Sequence, residues 1–389
     1  MAKEAPAAAV LVPQIGVAAD GRLPLPWLAE PMARAGAMAG AHAVLIHGPV
    51  GVGHLELGLL RAQAILCERG DQVERSGPTH WPGATSPPVL PCGRCTSCHL
   101  VATRVHPDFL LVLPELLRVQ LGWVDDDDSK LTKADAKPSR EIKIEQVRRA
   151  IAWSQQTSGR GRGKVLLLHP ADALNATAAN ALLKTLEEPP GTLRLLLTSA
   201  DPERLLPTVR SRCQRLRLGL PTPDTARAWL QSQGLADPAA LLALAGGSPL
   251  AALAYSQQGI TPAWLAGLPR RVAAGDAAPL AGRPIPQVID LLLKLAHDAQ
   301  VRAAGGMPRF YSAAHLPDGA DLAALRGWQQ ALLQAARHDE HPWNASLLIE
   351  SLVTQAGAVW SSSARPAPPT LPAPGNRSLP GAASLHSAR

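Results

Sequence analysis

The stretch "GPVGVGHL", Gly48 to Leu55, has the glycine spacing of a phosphate-binding loop but lacks two of its working side chains. The motif G-x-x-x-x-G-K-[ST] needs a lysine for the outer phosphates, followed by a hydroxyl that ligates magnesium. Here His54 stands at the lysine position and Leu55 at the hydroxyl position. The turn itself keeps its glycines, Gly48, Gly51 and Gly53. We therefore expect a strand–loop–helix unit that binds no ATP.

A second element of ATPase chemistry is missing as well. An active ATPase with a phosphate-binding loop carries a carboxylate at the end of its next buried strand, and this carboxylate organises magnesium and water. The apolar run "VLLLH", Val165 to His169, predicts that strand, but His169 and Pro170 stand at its end, and Asp172 lies three residues too far along. The loop alone is compatible with a glycine turn unrelated to ATPases. The absence of both the lysine and the carboxylate from one sheet favours an ATPase-type fold that no longer hydrolyses ATP.

Short apolar runs alternate with helical patterns around this loop. The segment 142–155 places Ile144, Val147 and Ile151 on one helical face, and a second helix begins at the capping residue Asn175 and ends at Pro189. Buried strands are predicted at 43–47, within 106–115, at 165–169 and at 193–199. Alternating strands and helices predict an α/β fold with a parallel sheet. After residue 218 the patterns are helical only.

Composition and charge set limits on the class of protein. The 389 residues are 46% hydrophobic, with 38 basic and 31 acidic side chains and a net charge of +7. This mild basic balance permits contact with nucleic acid but is a weak indication of it. No run of 18 apolar residues predicts a membrane span. The short N-terminal apolar stretch is cut by prolines, so we expect no signal peptide.

Three cysteines fall within seven residues, in "CGRCTSC". Cys92, Cys95 and Cys98 have the C-x2-C spacing that lets a tight turn present sulfurs to one ion, which predicts a structural zinc site. An iron–sulfur site of the ferredoxin type would want a cysteine at 102 followed by proline, and Ala102 and Thr103 stand there. Clustered metal-binding thiols in place of disulfides favour a reducing compartment, and hence a cytoplasmic protein.

The fourth zinc ligand is less well defined by the sequence. Cys67 is the expected fourth ligand, although 24 residues separate it from Cys92. A long loop adds only a modest closure entropy, so Cys67 can still complete the site. His99 and His80 are the alternatives.

The segment "RSRC", Arg210 to Cys213, has two interpretations. Together with Arg215 and Arg217, it is compatible with a solvated basic strand edge. However, "ANALLKTLEEPPG" and "DPERLLPTVRSRCQRL" resemble the clamp-loader branch of AAA+ proteins, in which the Ser-Arg-Cys motif carries an arginine finger. The resemblance implies that Arg212 reaches into the ATP site of an adjacent subunit. A guanidinium group suits this role because it is always charged and can bridge two phosphate oxygens.

The resemblance covers about residues 22–356, is densest from Ile144 to Leu218, and favours a subunit without motor activity. In "LAGGSPLAALAY", Leu244 to Tyr255, Pro249 and Leu250 stand near the position where motor subunits carry a nucleotide-sensing arginine. A subunit of this kind implies gamma/tau motor subunits and a delta subunit as partners in a pentameric ring. It also implies that the ring loads a sliding clamp onto primer–template DNA. The alternatives are a zinc-stabilised AAA+ scaffold, a nucleic-acid-binding protein without a role in ATP hydrolysis, and an active ATPase with an unusual loop.

The same resemblance implies a domain organisation. The fold class is α/β, an AAA+ P-loop-type parallel sheet with helices, an inserted zinc module, a small helical lid and a C-terminal helical collar. The expected bounds are a lead-in at 1–21, the α/β domain at 22–218 with the zinc module at 67–98 and an insertion loop at 115–140, the lid at 219–262, the oligomerisation collar at 263–357 and a disordered tail at 358–389.

Two further sets of residues carry weaker predictions. The turn "GRGRGK", Gly159 to Lys164, is either a mobile solvated turn or a phosphate contact. Five histidines have no shared metal spacing and are expected at strand ends or on the surface: His42, His47, His54, His106 and His169.

Overall fold

The computed structural model describes residues 12–18, 20–69, 90–124, 137–337 and 344–361. Within these ranges the chain forms five β-strands in one sheet and fourteen α-helices. None of these helices is long and apolar enough to cross a membrane.

All five strands run parallel, in the order β2-β3-β4-β1-β5. Their bounds are β1 Ala43–His47, β2 Phe109–Val112, β3 Lys164–Leu168, β4 Leu193–Ser199 and β5 Gln214–Arg217. β1 lies between β4 and β5, with Leu45 opposite both Leu197 and Arg215. The four buried strands expected from the apolar runs are present, and so is the parallel α/β sheet. The fifth strand is an edge strand that buries only Leu216, so its sequence has little apolar signal.

Side-chain alternation along the strands divides the α/β core into two layers. On one face, Val44, Ile46 and Leu196 pack in a cluster that also contains residues of α2. On the other face, Leu45 and Leu197 pack in a cluster with residues of α5 and α6. Because both faces are covered, β3 is buried along its whole length, as parallel sheets require.

Seven helices belong to this α/β part. α2 begins directly after the glycine loop, and Asn175 caps α6 by accepting a hydrogen bond from the backbone N of Ala178 at 2.9 Å. The helix bounds are α1 Ala29–Ala37, α2 His54–Leu66, α3 Thr96–Ala102, α4 Glu115–Leu121, α5 Ile144–Ser154, α6 Ala176–Glu187 and α7 Pro207–Arg210.

The rest of the described chain is helical, as its patterns predict. Helices α8 to α14 share one hydrophobic cluster, in which the ring of Trp328 meets that of Trp360 edge to face with centroids 5.9 Å apart. The bounds are α8 Pro223–Ser232, α9 Ala239–Leu244, α10 Pro249–Gln257, α11 Pro262–Ala273, α12 Ile285–Ala303, α13 Leu322–Arg337 and α14 Ala345–Ser361.

The domain bounds drawn from the sequence stay predictions, but three local features differ from them. Val17 lies in the expected loose lead-in but is buried in the hydrophobic cluster on the α2 face, and its backbone N donates to the Gln63 side chain at 2.9 Å. The expected insertion loop begins with helix α4. Helix α14 continues to Ser361 with Trp360 buried, so residues 358–361 are helical and do not belong to a disordered tail. Residues 362–389 lie outside the described part.

Candidate functional site

The glycines of the loop are required by close packing against other parts of the chain. A Cβ on Gly48 would lie 1.9 Å from the carbonyl oxygen of Leu218, just past the end of β5. Gly53 has φ +99°, and a Cβ there would lie 2.4 Å from the side chain of Leu25. Real Cβ contacts are essentially never this short, so a larger residue at Gly48 would force the backbone near Leu218 to shift, and a larger residue at Gly53 would be strained by its positive φ. The loop is therefore retained by the fold whether or not phosphate binds to it.

Helix α10 contacts the loop directly. The backbone N of Leu250 donates to the carbonyl of Gly51 at 3.1 Å, and a Cβ on Gly51, which has φ +77°, would lie 2.8 Å from the backbone N of Ala251. The first turn of α10 is thus the segment where the resemblance places a nucleotide-sensing arginine, and here it packs against the loop backbone. This contact connects the C-terminal helices to the sheet at the loop.

The side chain at the lysine position carries no charge at neutral pH. His54 is only 7% exposed, and burial lowers its pKa to about 4, although the nearby Asp172 carboxylate acts in the opposite direction. Burial also lowers the pKa of His169 to about 3, and the neighbouring His54 adds to this effect. The ring of His169 forms a 2.6 Å hydrogen bond with the hydroxyl of Thr198. Two neutral imidazoles therefore stand where an ATPase has a cation and a magnesium-binding carboxylate.

Two of the five histidines expected at strand ends or on the surface, His54 and His106, are buried. His169 directly follows the end of β3, as expected, but burial there lowers its pKa. Sequence spacing gives no signal for this, because the burial of His54 arises from the packing of loop, strand and helix around it.

Arg212 lies in the turn between α7 and β5, at the opposite end of β5 from the loop contact at Leu218. Its Nε donates to Oε1 of Glu187 at 2.7 Å, Nη2 bonds to the same oxygen, and Nη1 donates to the carbonyl of Thr208 at 2.8 Å. The Arg212 side chain is 32% exposed and that of Glu187 is 49% exposed. Because six residues of extended chain span about 20 Å, Arg212 cannot reach the loop of its own chain.

The four cysteines predicted as metal ligands come together. Cys67 ends α2 and Cys95 caps the start of α3, and all four sulfurs lie within 4.8 Å of one another. The Sγ atoms of Cys67 and Cys95 are 3.9 Å apart, as are those of Cys92 and Cys98. A tetrahedral ion with bonds of about 2.3 Å requires sulfurs about 3.8 Å apart. This four-cysteine group can therefore hold a metal ion, and its geometry is compatible with zinc.

Backbone N–H groups support the sulfurs. The N–H of Cys92 donates to Cys67 Sγ at 3.3 Å, that of Cys95 to Cys92 Sγ at 3.3 Å, and that of Cys98 to Cys95 Sγ at 3.4 Å. Such donors stabilise the thiolate form that binds metal. His99 is exposed and not part of this group, and His80 lies outside the described residues.

The turn "GRGRGK" fastens the four-cysteine group to the sheet. Arg160 donates to Glu68 at 2.6 Å and to the Ser97 hydroxyl at 3.0 Å, and Glu68 and Ser97 flank the sulfur ligands in sequence. The Asp108 carboxylate, just before β2, accepts from the backbone N of Gly159 at 2.7 Å and of Arg160 at 2.8 Å. The turn is therefore held in place at Arg160 by these contacts, although the Arg160 side chain stays partly exposed. Sequence reasoning missed this role because Glu68 and Arg160 are 92 residues apart.

The parallel sheet with its degenerate glycine loop, the attached helices and the four-cysteine group define an α/β protein of the P-loop type with an added metal-binding group. A family model described as "DNA polymerase III, delta subunit" matches residues 32–221. The chain is 33% identical to DNA polymerase III subunit delta' of Pseudomonas aeruginosa over 358 residues, which cover 86% of this chain and 94% of that protein. The chain therefore belongs to the family of DNA polymerase III delta' subunits.

Two further relatives come from Escherichia coli. Its DNA polymerase III subunit delta' is 33% identical over 221 residues, covering 56% of this chain and 55% of that protein. Its subunit tau is 31% identical over 177 residues, covering 46% of this chain and 21% of that protein. The similarity thus extends to more than one kind of DNA polymerase III subunit.

Proposed function

We propose that the chain is a non-hydrolysing subunit of a DNA polymerase III clamp loader, in which Arg212 serves the ATP site of a neighbouring motor subunit. The observation that carries the proposal is the separation of two features along β5. At one end the loop is packed with protein atoms and carries neutral His54; at the other end Arg212 is partly exposed. A subunit with this arrangement can supply an arginine to the ATP site of a neighbour, but its own loop lacks the groups that bind ATP.

The ion pair with Glu187 does not hold Arg212 permanently. Both side chains are partly exposed, and ion pairs of this kind contribute only about 0–1 kcal/mol. The phosphates of a bound nucleotide carry more negative charge than one carboxylate and accept both arms of a guanidinium group. Glu187 therefore keeps Arg212 oriented in the free subunit and releases it when a neighbour's nucleotide approaches.

The partners follow from this role. The motor neighbour is a gamma/tau subunit, the ring also contains a delta subunit, and the assembly places a sliding clamp on primer–template DNA in the cytoplasm. The four-cysteine group holds zinc with a structural role, since all four ligands come from protein sulfur and leave no open coordination position. The similarity to delta' and tau subunits supports this set of partners.

ATP hydrolysis by a reconstituted loader tests the proposal. We expect that Arg212→Ala assembles normally but loses turnover stimulated by clamp and DNA, because an arginine finger contributes about 10³–10⁵-fold to kcat at the site it serves. Arg215→Ala, an exposed arginine on the neighbouring strand β5, is the matched control and should leave turnover unchanged. Gel filtration reports assembly, and the isolated chain should hydrolyse no ATP.

One observation favours a second candidate, a scaffold in which Arg212 only stabilises its own subunit. The contacts of Arg212 with Glu187 and the Thr208 carbonyl are also those of a structural arginine. In that case Arg212→Ala would lower the subunit's unfolding temperature while turnover of the assembled loader stayed at the wild-type level.

A further inference from the structure

A cavity of about 450 Å³ opens at the N-terminal ends of the parallel strands. The glycine loop lies at their C-terminal ends. The cavity lies between the C-terminal half of α2, the first residues of β1 and β4, and the turn before β3. Its apolar wall includes Met38, Val44, Ile65 and Leu196, and its cationic side chains are Arg61, Arg162 and Arg194.

Arg61 is an unusual residue for its position. Every residue of α2 except Ile65 is buried, and Arg61 is itself only 8% exposed. Within the described part of the chain, neither Arg61 nor Arg194 has a carboxylate within ion-pair distance. Burial lowers the pKa of Arg61, and the positive charge of Arg194 lowers it further. A buried cation that faces another cation is unfavourable unless an anion joins them.

The strand geometry explains why the two arginines meet. Along β4, Leu195 and Leu197 face α5 and α6, whereas Leu196 faces α2. Arg194, two residues before Leu196, therefore lies on the α2 face at the start of the strand. α2 runs back over this face, so Arg61 in its second half lies above the same end of the sheet.

We propose that this cavity is a binding site for a small phosphorylated organic molecule of about mononucleotide size. The guanidinium groups of Arg61 and Arg194 bind the phosphate, since guanidinium matches phosphate oxygens in a bidentate manner. The apolar wall covers the organic part, and a cavity of this volume is within the range of small-molecule sites. The site is separate from the glycine loop, which lies at the C-terminal ends of the strands.

Isothermal titration calorimetry on the full zinc-loaded chain tests the site, with ADP, adenosine and inorganic pyrophosphate as probes in the absence of magnesium. We expect ADP to bind, pyrophosphate to bind more weakly and adenosine not to bind. Arg194→Gln should weaken ADP binding at least tenfold, because each charge-assisted hydrogen bond that is lost removes about one order of magnitude or more. Arg61→Gln should act in the same direction, and Arg326→Gln, an exposed arginine of α13, should leave binding unchanged.

Three results would overturn the proposal. ADP binding that survives both arginine substitutions would place the nucleotide elsewhere. Binding of a thymidine oligonucleotide but not of ADP, lost in the same variants, would assign the phosphates to DNA. If no probe binds and Arg61→Gln instead loses zinc, the arginines balance the negative thiolate group through the adjacent Cys67, which also lines the cavity. Arg194 is half-buried on its strand, so its variant keeps the test open if Arg61→Gln fails to fold.

Discussion

His54 gives the sharpest test of the degenerate loop, because its burial predicts a defined dependence of stability on pH. An unfolded histidine has a pKa of about 6.5, whereas burial lowers the pKa of His54 to about 4 in the folded chain. Below about pH 6.5 the unfolded state therefore binds the proton more readily than the folded state. The contribution of His54 to the free energy of unfolding is therefore highest above this pH, where His54 is neutral in both states, and it decreases as the pH falls towards 4.

The magnitude follows from the two pKa values. Each pH unit between them costs about 1.36 kcal/mol, so acidification from about pH 7 to about pH 5 should remove about 2 kcal/mol through His54 alone. The substitution His54→Gln removes the titrating group and keeps a polar side chain of similar reach. We expect the variant to lose about 2 kcal/mol less stability than the wild type over this interval.

Urea denaturation at these two pH values measures the difference between the two proteins. Glu56, whose pKa burial raises to about 7, destabilises the folded state as the pH rises, but it does so equally in both proteins and cancels. The control is His297→Gln, which replaces an exposed histidine of α12. This variant should lose as much unfolding free energy between the two pH values as the wild type. NMR measures the pKa of His54 directly. The His54 ring resonance is identified as the one that is absent from the spectrum of His54→Gln, and it is then followed in the wild type as the pH changes. A His54 resonance that titrates near the ordinary histidine value, or equal losses in both proteins, would refute the reasoning.

Three further substitutions test the metal group and the loop. Cys95→Ala should abolish binding of one zinc per chain, measured by metal analysis, whereas Cys213→Ala, also a buried cysteine, should retain it. Arg160→Ala should raise zinc loss to a chelator by about 10-fold, since supporting contacts contribute roughly 10–100-fold to metal affinity. Gly48→Ala should cost about 1–3 kcal/mol in urea unfolding through its overlap with Leu218, whereas Gly40→Ala, with open space around it, should cost less than about 0.5 kcal/mol.

Much of the fold could be predicted because its signals are local. Continuous apolar runs such as Leu193–Ser199 identify buried strands, and the cap at Asn175 identifies the start of α6. The edge strand Gln214–Arg217 has one inward side chain, so no apolar period identifies it. Helix α4 has only seven residues and buries only Leu121, so it shows too little of a helical period to be identified. The sequence pattern is informative where an element faces the core on both sides and weak where it faces solvent.

The site could be predicted only as far as its residue types allowed. The C-x2-C spacing brought Cys92, Cys95 and Cys98 together, but only the end of α2 decides that Cys67, rather than His99, closes the group. Burial of His54 and the pairing of Arg160 with Glu68 depend on contacts between distant segments. No local pattern encodes such contacts, because they form when separate elements pack together.

Helix α2 connects the three chemically distinct regions of this chain. It begins at Gly53 in the glycine loop, carries Arg61 into the cavity and ends at Cys67 in the metal-binding group. Since the helix is buried along nearly all of its length, a displacement at one end cannot be absorbed locally and must shift the packing at the other. Gln63 adds to this stiffness, because its side chain joins the backbone of Val17 to the carbonyl of Cys98 at 3.0 Å. If zinc is removed, the first change outside the four-cysteine group should therefore occur along α2, and amide exchange in 54–66 should rise before exchange in α6, which packs on the other face of the sheet. Equal protection of both helices after metal removal would show that the four-cysteine group stabilises only its own segment.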